Sequence, residues 1–167
     1  LHFGILERYL DNTIATRTNE VQTQVKIIAD HLITYNYMLD SSSEVVNAEL
    51  SQLSNLYDGR VLIVNSGLKI IKDTYAVSEG KIIISEAIIK CLKGEGASDS
   101  LKDAGYIEIV VPIEEKFEGK SHVLGAMLTS VSTDSIRNGY EYIQSRAFLL
   151  ELLSHCPPAE PQDVKAF

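Results

Sequence analysis

The sequence predicts an α/β protein of the α+β type, in which a long N-terminal helix and flanking helices pack on an antiparallel sheet of about five strands. Two observations support this class. Apolar residues recur at helical spacing through the first forty residues and again after Asp134, whereas the stretch from Arg60 to Ser132 is dominated by short extended runs separated by turn residues. The length of 167 residues is that of one ordinary domain, which can bury a core without disulfides or a structural metal.

Residues 1–40 are predicted to form one long helix, because they contain no proline and a single glycine. Their apolar residues are spaced by sevens, fours and threes, close to a heptad repeat. A helix of about 35 residues would be ~50 Å long, which exceeds the width of a small domain, so part of it must project or pair with another helix. The apolar stripe consists of Leu10, Ile14, Val21, Val25, Ile28, Leu32, Tyr35 and Leu39.

This stripe allows two interpretations, which are packing on the chain's own sheet and a seam between two copies of the chain. We favour the seam, because a long apolar stripe without a partner would be exposed to water. The predicted partner is therefore a second copy. The residues expected to form the dimer seam are Ile14, Val21, Val25, Ile28 and Leu32.

Residues 41–133 are predicted to form the core of the domain, which opens with a second helix. A serine-rich break follows Asp40, and Ser41 with Glu44 has the spacing of a capping box. The helix should end near Gly59, because Gly commonly follows the last turn of a helix. Its apolar face comprises Val46, Leu50, Leu53 and Leu56.

The first strands are predicted around a hairpin. Runs at 61–64 and 68–72 flank Asn65-Ser66-Gly67, a turn sequence because Asn and Gly tolerate positive φ. Residues 82–84 suit either a strand or the entry to a brief helix over 87–92, which Gly94 and Gly96 would stop.

Two longer strands, at 106–113 and 123–132, follow with a charged turn around Gly119 between them. Their similar lengths and short connection predict antiparallel pairing. Thr133 or Asp134 can then cap a last helix over 134–153. Residues 154–167 hold three of the four prolines and cannot continue that helix, so we interpret them as a linker or vector-derived tail.

Several classes of function are excluded by composition. The chain has 15 basic and 23 acidic residues and a net charge of −8, which repels nucleic acid and anionic lipid. Cys91 and Cys156 lack the spacing of metal ligands, and no nucleotide-binding or hydrolase motif is present. No apolar run reaches the roughly 20 residues that span a bilayer. We therefore expect no metal, no cofactor and no nucleic-acid partner.

Five segments, in this order and of these kinds, resemble the extracytoplasmic PAS-like domains, also called single Cache or PDC domains, of bacterial and particularly Gram-positive sensor histidine kinases. The resemblance covers residues 10–150. The segments are DGRVLIVN (58–65), KIIKDT (69–74), ISEAIIKCLKGE (84–95), YIEIVVPI (106–113) and VLGAMLTS (123–130).

The resemblance implies a signal-sensing domain on the extracytoplasmic face of the cell membrane. Its terminal helices would continue into transmembrane helices that this sequence does not contain, and would pass a small-molecule or protein stimulus to a cytoplasmic kinase of a two-component system. The domain itself would not be an enzyme. Two alternatives stay open: the ectodomain of a chemoreceptor or cyclic-di-nucleotide enzyme, and a cytosolic longin- or GAF-like interaction scaffold.

Candidate ligand-binding residues are Asp73, Tyr75, Tyr106 and Thr129. A carboxylate at a strand end can bind an amine or a cation in a cleft, and it can equally cap the following loop through backbone N–H groups. The tyrosines could line a pocket and Thr129 adds a hydroxyl, although such residues also suit strands for their own sake. Glu108, which alternates with apolar neighbours, is expected to meet solvent.

Overall fold

The computed structural model describes residues 2–155 and shows a five-stranded antiparallel sheet with helices on both faces. The strand order is β2-β1-β5-β4-β3, so the α+β class and the number of strands predicted from the sequence are confirmed. Residues 156–167, most of the predicted tail, lie outside the described part of the chain. The helices are α1 (His2–Thr34), α2 (Glu44–Leu56), α3 (Glu86–Lys90) and α4 (Asp134–Ser154). The strands are β1 (Gly59–Asn65), β2 (Ile70–Asp73), β3 (Ser98–Lys102), β4 (Tyr106–Phe117) and β5 (Lys120–Ser132).

Both faces of the sheet are buried. On one face, alternate residues of the central strands, such as Ile63, Ile109 and Met127, pack against α1 and α2. The opposite face is covered by α3 and by a π-helical turn over Cys91–Glu95. Burial on both faces explains why the centre of β1 is a continuous apolar run without alternation. The apolar residues of the opposite face are Leu62, Val64, Ile70, Val110, Ala126 and Leu128, in contact with Ile88 and Cys91.

Helix α1 ends earlier than predicted, because Asn36 adopts the left-handed conformation with φ 54°. The N–H of Tyr37 donates to the carbonyl of Leu32 (2.9 Å), and the N–H of Asn36 donates to the carbonyl of Ile33 (3.1 Å). These are the two hydrogen bonds of a Schellman motif, which terminates a helix. The last two residues of the predicted stripe, Tyr35 and Leu39, consequently lie outside the helix and are exposed.

The segment between α1 and α2 places Tyr37 in the core instead, where its hydroxyl donates to Oδ1 of Asn47 (2.7 Å). Ser43, rather than the predicted Ser41, caps α2, since its Oγ accepts the N–H of Val46 (3.4 Å). Three residues of the predicted face are buried and the last is exposed. They are Val46, Leu50 and Leu53, with Leu56 exposed.

The predicted hairpin between β1 and β2 is confirmed, with Oδ1 of Asn65 accepting the N–H groups of Gly67 and Lys69, both at 3.0 Å. Its left-handed residue is Leu68, with φ 64°, rather than Asn65 or Gly67. The predicted turn between β4 and β5 is also confirmed. Glu118 and Gly119 both have positive φ there, as a two-residue type I′ hairpin requires.

Strand β3 lies where the sequence pattern predicts no strand. It is polar, and it pairs at the edge of the sheet with the first half of β4, from Ser98 opposite Val110 to Lys102 opposite Tyr106. The ambiguous segment 82–84 contributes only an isolated bridge, from Ile82 to Lys69.

Candidate functional site

A buried ion pair joins the start of β1 to the end of β2. Nε of Arg60 donates to Oδ1 of Asp73 (2.9 Å) and Nη2 donates to Oδ2 (2.6 Å), the two-pronged geometry that matches a guanidinium to a carboxylate. The Asp73 side chain has no exposed surface, whereas that of Arg60 is 28% exposed. We call this pair, with the loop 74–78 that it holds, the Arg60–Asp73 clamp.

The loop after β2 is folded around the carboxylate. Oδ1 of Asp73 accepts the N–H of Tyr75 (2.9 Å), and Oδ2 accepts the N–H groups of Val77 (3.2 Å) and Ser78 (2.9 Å). Arg60 and these backbone donors hold the pKa of Asp73 well below its usual range, against the opposing effect of burial. The carboxylate in turn raises the pKa of Arg60. Both groups therefore stay charged at neutral pH.

Asp73 thus caps its own loop. Its two oxygens already accept the five hydrogen bonds just described, more than the roughly four lone-pair sites of a carboxylate. A ligand amine would have to displace Arg60 or open the loop, so the structure favours the loop-capping interpretation of Asp73 over direct ligand binding. Arg60 and Ser78 also belong to the clamp, and neither was predicted from the sequence as a site residue. Oγ of Ser78 accepts a hydrogen bond from Nη2 of Arg60 (3.0 Å).

Tyr75 covers the clamp from the solvent side. The Arg60 guanidinium lies 5.1 Å from the centroid of the Tyr75 ring, within range of a cation–π contact. The tyrosine is 54% exposed. Of the four candidate ligand residues, the structure therefore brings together Asp73 and Tyr75.

The other two candidates lie elsewhere. Tyr106 begins β4, which is three strands away from β2 in the sheet. The residue of β5 directly opposite Tyr106 is Ser132. The residue of β5 in line with Asp73 across the sheet is Leu128, four residues before Ser132. At ~4.8 Å between strands and ~3.3 Å per residue, the Cα atoms of Tyr106 and Asp73 are roughly 19 Å apart. Thr129 is buried on the face of the sheet that α1 and α2 cover. The four residues do not line one pocket.

Glu108 is more buried than predicted. Its side chain is 16% exposed, and its Oε1 lies 3.6 Å from Nζ of Lys102. The expected exposure is wrong because β3, the strand without a sequence signal, places Ser100 directly opposite Glu108.

The residues assigned to a dimer seam belong mainly to the core of their own chain. Four of the five are buried against the sheet, and Ile14 packs partly against the same cluster. This burial corrects the predicted seam, because side chains already packed inside one chain cannot also contact a second copy. Dimerisation itself stays a prediction. The four buried residues are Val21, Val25, Ile28 and Leu32.

Helix α1 runs along the sheet and continues past one end of it. Its Leu32 lies near the β1–β2 turn. Half-way along the helix, Cζ of Arg17 lies 5.6 Å from the centroid of the Tyr57 ring, and Tyr57 comes just before the start of β1. Ile14 still packs against the core, so residues 2–13, roughly 18 Å of helix, extend beyond the end of the sheet where β1 starts and β5 finishes. Helix α4 begins at that same end and contacts α1. We call residues 2–13 of α1, together with α4, the stalk.

Thr133 joins α4 to the sheet. It is buried, and both its N–H (3.1 Å) and its hydroxyl (2.6 Å) donate to the carbonyl of Gly105. Nε of Arg137 donates to the same hydroxyl oxygen (3.0 Å). The sequence suggested Thr133 or Asp134 as the cap of α4, but the hydroxyl of Thr133 does not cap the helix. Instead, Oγ of Ser132 accepts the N–H of Asp134 (3.2 Å).

Two cavities of ligand size lie beside α1, and neither is lined by the four candidate ligand residues. Volumes of this order are typical of small-molecule sites. The larger, about 580 Å³, lies between α1 and the second half of β4 and is lined by Lys26, Ala29, Asp30, Ile33, Gly96, Ala97, Pro112, Glu114 and Lys116. The smaller, about 400 Å³, lies where α1 ends and is lined by Leu32, Ile33, Asn36, Met38, Leu39, Asn65, Ser66, Glu115 and Leu124.

Comparison with known proteins places the chain by its fold. No protein-family model and no curated protein matches the sequence. Among solved structures, the sensor domain of the V. cholerae histidine kinase DctB is similar, with a TM-score of 0.61 at 13% sequence identity, over 83% of this chain and 57% of that one. An extracellular ligand-binding receptor from Desulfohalobium retbaense is similar with a TM-score of 0.61 at 16% identity, over 83% of this chain and 26% of that one.

The chain therefore shares its fold with the DctB sensor domain and with this receptor. The chain spans little more than half of the DctB sensor domain and about a quarter of the receptor. Within residues 2–155, no helix combines the length and the hydropathy needed to cross a membrane.

Proposed function

We propose that this chain is the extracytoplasmic signal-sensing domain of a membrane-bound two-component sensor histidine kinase. The observation that carries the proposal is the stalk. Its two helices leave the same end of the sheet, in contact with each other, and each is fixed to the sheet at its base. The likeness of the fold to the DctB sensor domain supports the same assignment. The stalk would continue to the membrane and report to a kinase on its other side.

The packing suggests how a stimulus would reach the stalk. Helix α1 is held by apolar side chains against the sheet, whereas α4 is held through Thr133 and the turn at Gly105. A molecule or protein that binds between α1 and β4, for instance in the cavity beside Lys26 and Asp30, would contact α1 but not α4. If it binds one arrangement of the two helices more tightly, it shifts the population towards that arrangement.

The kinase assignment is tested with the full-length protein in membrane vesicles, by measuring the rate of autophosphorylation from ATP. Ala147 lies on the partly buried side of α4 with Ile136 and Tyr140. Ala147→Glu should change the rate severalfold, because a carboxylate cannot be desolvated cheaply between two helices. Ser145→Glu, on an exposed side of the same helix, adds the same charge and should leave the rate unchanged. Equal rates in all three proteins, or the absence of kinase activity, would overturn the proposal.

Localisation is tested by thiol labelling of intact cells with a membrane-impermeant maleimide. Leu39 is 86% exposed, so Leu39→Cys in a Cys156→Ser background gives an accessible thiol. The remaining Cys91 is buried, and burial raises the pKa of its thiol to about 11, so it should not react. Labelling in intact cells supports an extracytoplasmic domain. Labelling only after lysis would favour the cytosolic scaffold instead.

A second candidate is the ectodomain of a chemoreceptor or of a cyclic-di-nucleotide enzyme. It is favoured by the likeness to the extracellular ligand-binding receptor and would use the same fold and stalk. The two candidates differ in the cytoplasmic output, so the same vesicles decide between them. Cyclic-di-nucleotide synthesis or control of a chemotaxis kinase that responds to Ala147→Glu would support the second.

A further inference from the structure

Strand β4 is longer than the strand beside it, so its second half has a free edge. Strand β3 pairs with β4 only as far as Val110, opposite Ser98, whereas β4 continues along β5 to Phe117. Before Ser98 the chain turns away from β4 at Gly96, whose φ of 82° and ψ of −163° are in practice accessible only to glycine. Residues 112–116 therefore have a neighbouring strand on one side only.

The hairpin between β4 and β5 shows which backbone groups lie at this free edge. In an antiparallel pair, alternate residues direct their N–H and C=O groups towards the same neighbour. Phe117 closes the two-residue turn and therefore bonds to β5. The bulge next to Ile113 adds its extra residue to β5 and leaves the alternation along β4 intact. The backbone groups of Lys116, Glu114 and Pro112 consequently point to the free side.

The free edge offers both hydrogen-bond acceptors and donors to a further strand. Its acceptors are the C=O groups of Pro112, Glu114 and Lys116, and its donors are the N–H groups of Glu114 and Lys116. No turn, loop or cap hydrogen bond between backbone groups of residues 2–155 uses them. Proline is tolerated at an edge because no N–H is needed there, which agrees with the assigned directions. The edge can therefore bond to an added strand, as the first half of β4 bonds to β3.

The larger of the two cavities lies along this edge. It has a volume of about 580 Å³ and is lined by Gly96 and Ala97, which come just before β3. The side chains of Pro112, Glu114 and Lys116 line it as well, together with four residues of α1. An added strand would occupy this space in line with β3 and alongside α1, so we call the cavity the edge groove. The four residues of α1 are Lys26, Ala29, Asp30 and Ile33.

We propose that the edge groove binds an extended peptide segment of a partner protein, which adds to β4 as an antiparallel strand. In this mode of recognition, main-chain hydrogen bonds hold the peptide and side chains at alternate positions select it. Directly opposite residues of a sheet share a face, so a basic residue of the partner fits opposite Glu114 and an acidic residue opposite Lys116. The partner residue opposite Ile113 points to the α1 side, where it meets the apolar Ala29 and Ile33.

Two other occupants fit the edge less well. A free amino acid or similar small ion could contact the charged side chains but would not use the row of backbone groups. A second copy of the chain could pair Glu114 with Lys116 across a two-fold axis. That pairing also sets Glu115 opposite Glu115 of the copy, and like charges directly opposite each other are destabilising. Proline and lysine at a strand edge discourage unselective pairing, so a partner needs the matching charges.

This inference deepens the proposed function, on which its role in signalling rests, because it names the class of stimulus. A peptide in the edge groove would contact Ala29 and Ile33, in the last two turns of α1. The same helix continues into the stalk. Binding of the peptide would therefore act on the stalk through α1, without contact to α4.

Nuclear magnetic resonance of the isotope-labelled 167-residue chain tests the proposal. The chain packs both faces of its sheet with its own side chains, so it can be studied by itself. The probe is the peptide acetyl-Asp-Thr-Lys-Val-Thr-amide, whose Asp lies opposite Lys116, and whose Lys lies opposite Glu114, when it binds antiparallel. At saturation, hydrogen exchange at the amides of Glu114 and Lys116 should slow roughly tenfold, whereas the amides of Ile113 and Glu115, already bonded to β5, should change little. Equal changes at all four amides, or no change at any, would overturn the proposal.

A charge swap tests which residues lie opposite each other. In the double variant Glu114→Lys with Lys116→Glu, the affinity for the probe should fall roughly fivefold or more. The affinity for the swapped peptide acetyl-Lys-Thr-Asp-Val-Thr-amide should rise by a similar factor. The matched control is Glu118→Lys with Lys120→Glu, which makes the same exchange at the exposed hairpin turn and should leave both affinities unchanged. The same peptide preference in both double variants would overturn the proposal.

The other occupants give different results in the same experiment. If free glycine at the concentration of the probe slows exchange at the amides of Glu114 and Lys116 equally, the groove is a small-molecule site and the proposal fails. Protection of these amides that rises with the concentration of the chain alone would indicate a second copy and would also overturn it. Absence of peptide binding together with a normal response to Ala147→Glu overturns this inference alone. Peptide binding by a protein without kinase activity overturns the proposed function alone.

Discussion

The Arg60–Asp73 clamp predicts a specific loss of stability when its charge is removed. Asp73→Asn keeps the size of the side chain but leaves Arg60 without its partner and turns one accepting oxygen into an amide donor. The loop N–H groups that Oδ2 accepts then lose part of their hydrogen bonding. Breaking a buried ion pair on one side costs about 3–5 kcal/mol. We expect about 3 kcal/mol at neutral pH, at the lower end because Arg60 retains contact with solvent.

The pH dependence of this loss has a definite sign. The pKa of Asp73 is lower in the folded protein than in the unfolded chain. The carboxylate therefore contributes stability that is fully present above the unfolded pKa, near 4, and is lost as the pH falls through the folded pKa. The difference in the free energy of unfolding between wild type and Asp73→Asn should be largest at neutral pH and should shrink below about pH 4.

Urea denaturation followed by circular dichroism at neutral pH and near pH 3 measures this difference, provided that both proteins show the same dependence on urea. Asp11→Asn is the control, because Asp11 is an exposed carboxylate on α1 and its replacement should cost less than ~0.5 kcal/mol. A loss for Asp73→Asn below about 1 kcal/mol at neutral pH, or an equal loss near pH 3, would refute the idea that this charge holds the loop.

Three further predictions concern single side chains. Gly125→Ala should lower the melting temperature sharply, because the added Cβ meets the carbonyl oxygen of Val64, whereas Gly139→Ala, with open space around its Cβ, should stabilise α4 by up to ~1 kcal/mol. Thr129→Val should raise the free energy of unfolding by about 1 kcal/mol, since it removes a buried hydroxyl that has no hydrogen-bond partner in the described structure; a loss would mean that the hydroxyl is satisfied by bound water. Burial, and to a smaller extent Glu79, raises the pKa of Tyr37 to about 12, so the stability it contributes is present below about pH 10 and is lost as the pH rises towards 12. Tyr37→Phe should remove the last step of the ultraviolet tyrosine titration, and an unchanged titration would contradict this assignment.

Local signals in the sequence predicted the elements whose form depends on neighbouring residues. The turn at Gly119 is an example, since the backbone of a two-residue hairpin needs positive φ at both positions. Strand β3 could not be found in this way. An exposed, polar edge strand buries neither of its faces, so its sequence shows no alternation of apolar and polar residues. Its extended conformation depends on pairing with β4.

The clamp shows a similar division. Asp73 could be singled out because it stands at a strand end, but its partner depends on the register of the hairpin. A register shift between Ile63 and Val64 changes which residues of β1 lie beside the end of β2. Arg60 reaches Asp73 only in this shifted pairing, and the sequence carries no mark of the shift.

The long stripe of α1 illustrates what periodicity can and cannot decide. The spacing of Val21, Val25 and Ile28 suits a sheet as well as a coiled coil, because both require one apolar face on the helix. What separates the two is the surface that remains exposed once the sheet has been covered. On the outer side of α1 that surface is largely polar, whereas α4 exposes apolar side chains such as Leu149 and Leu153. Periodicity alone therefore does not separate a seam from a core, because the position of the core depends on contacts between residues that are distant in the sequence.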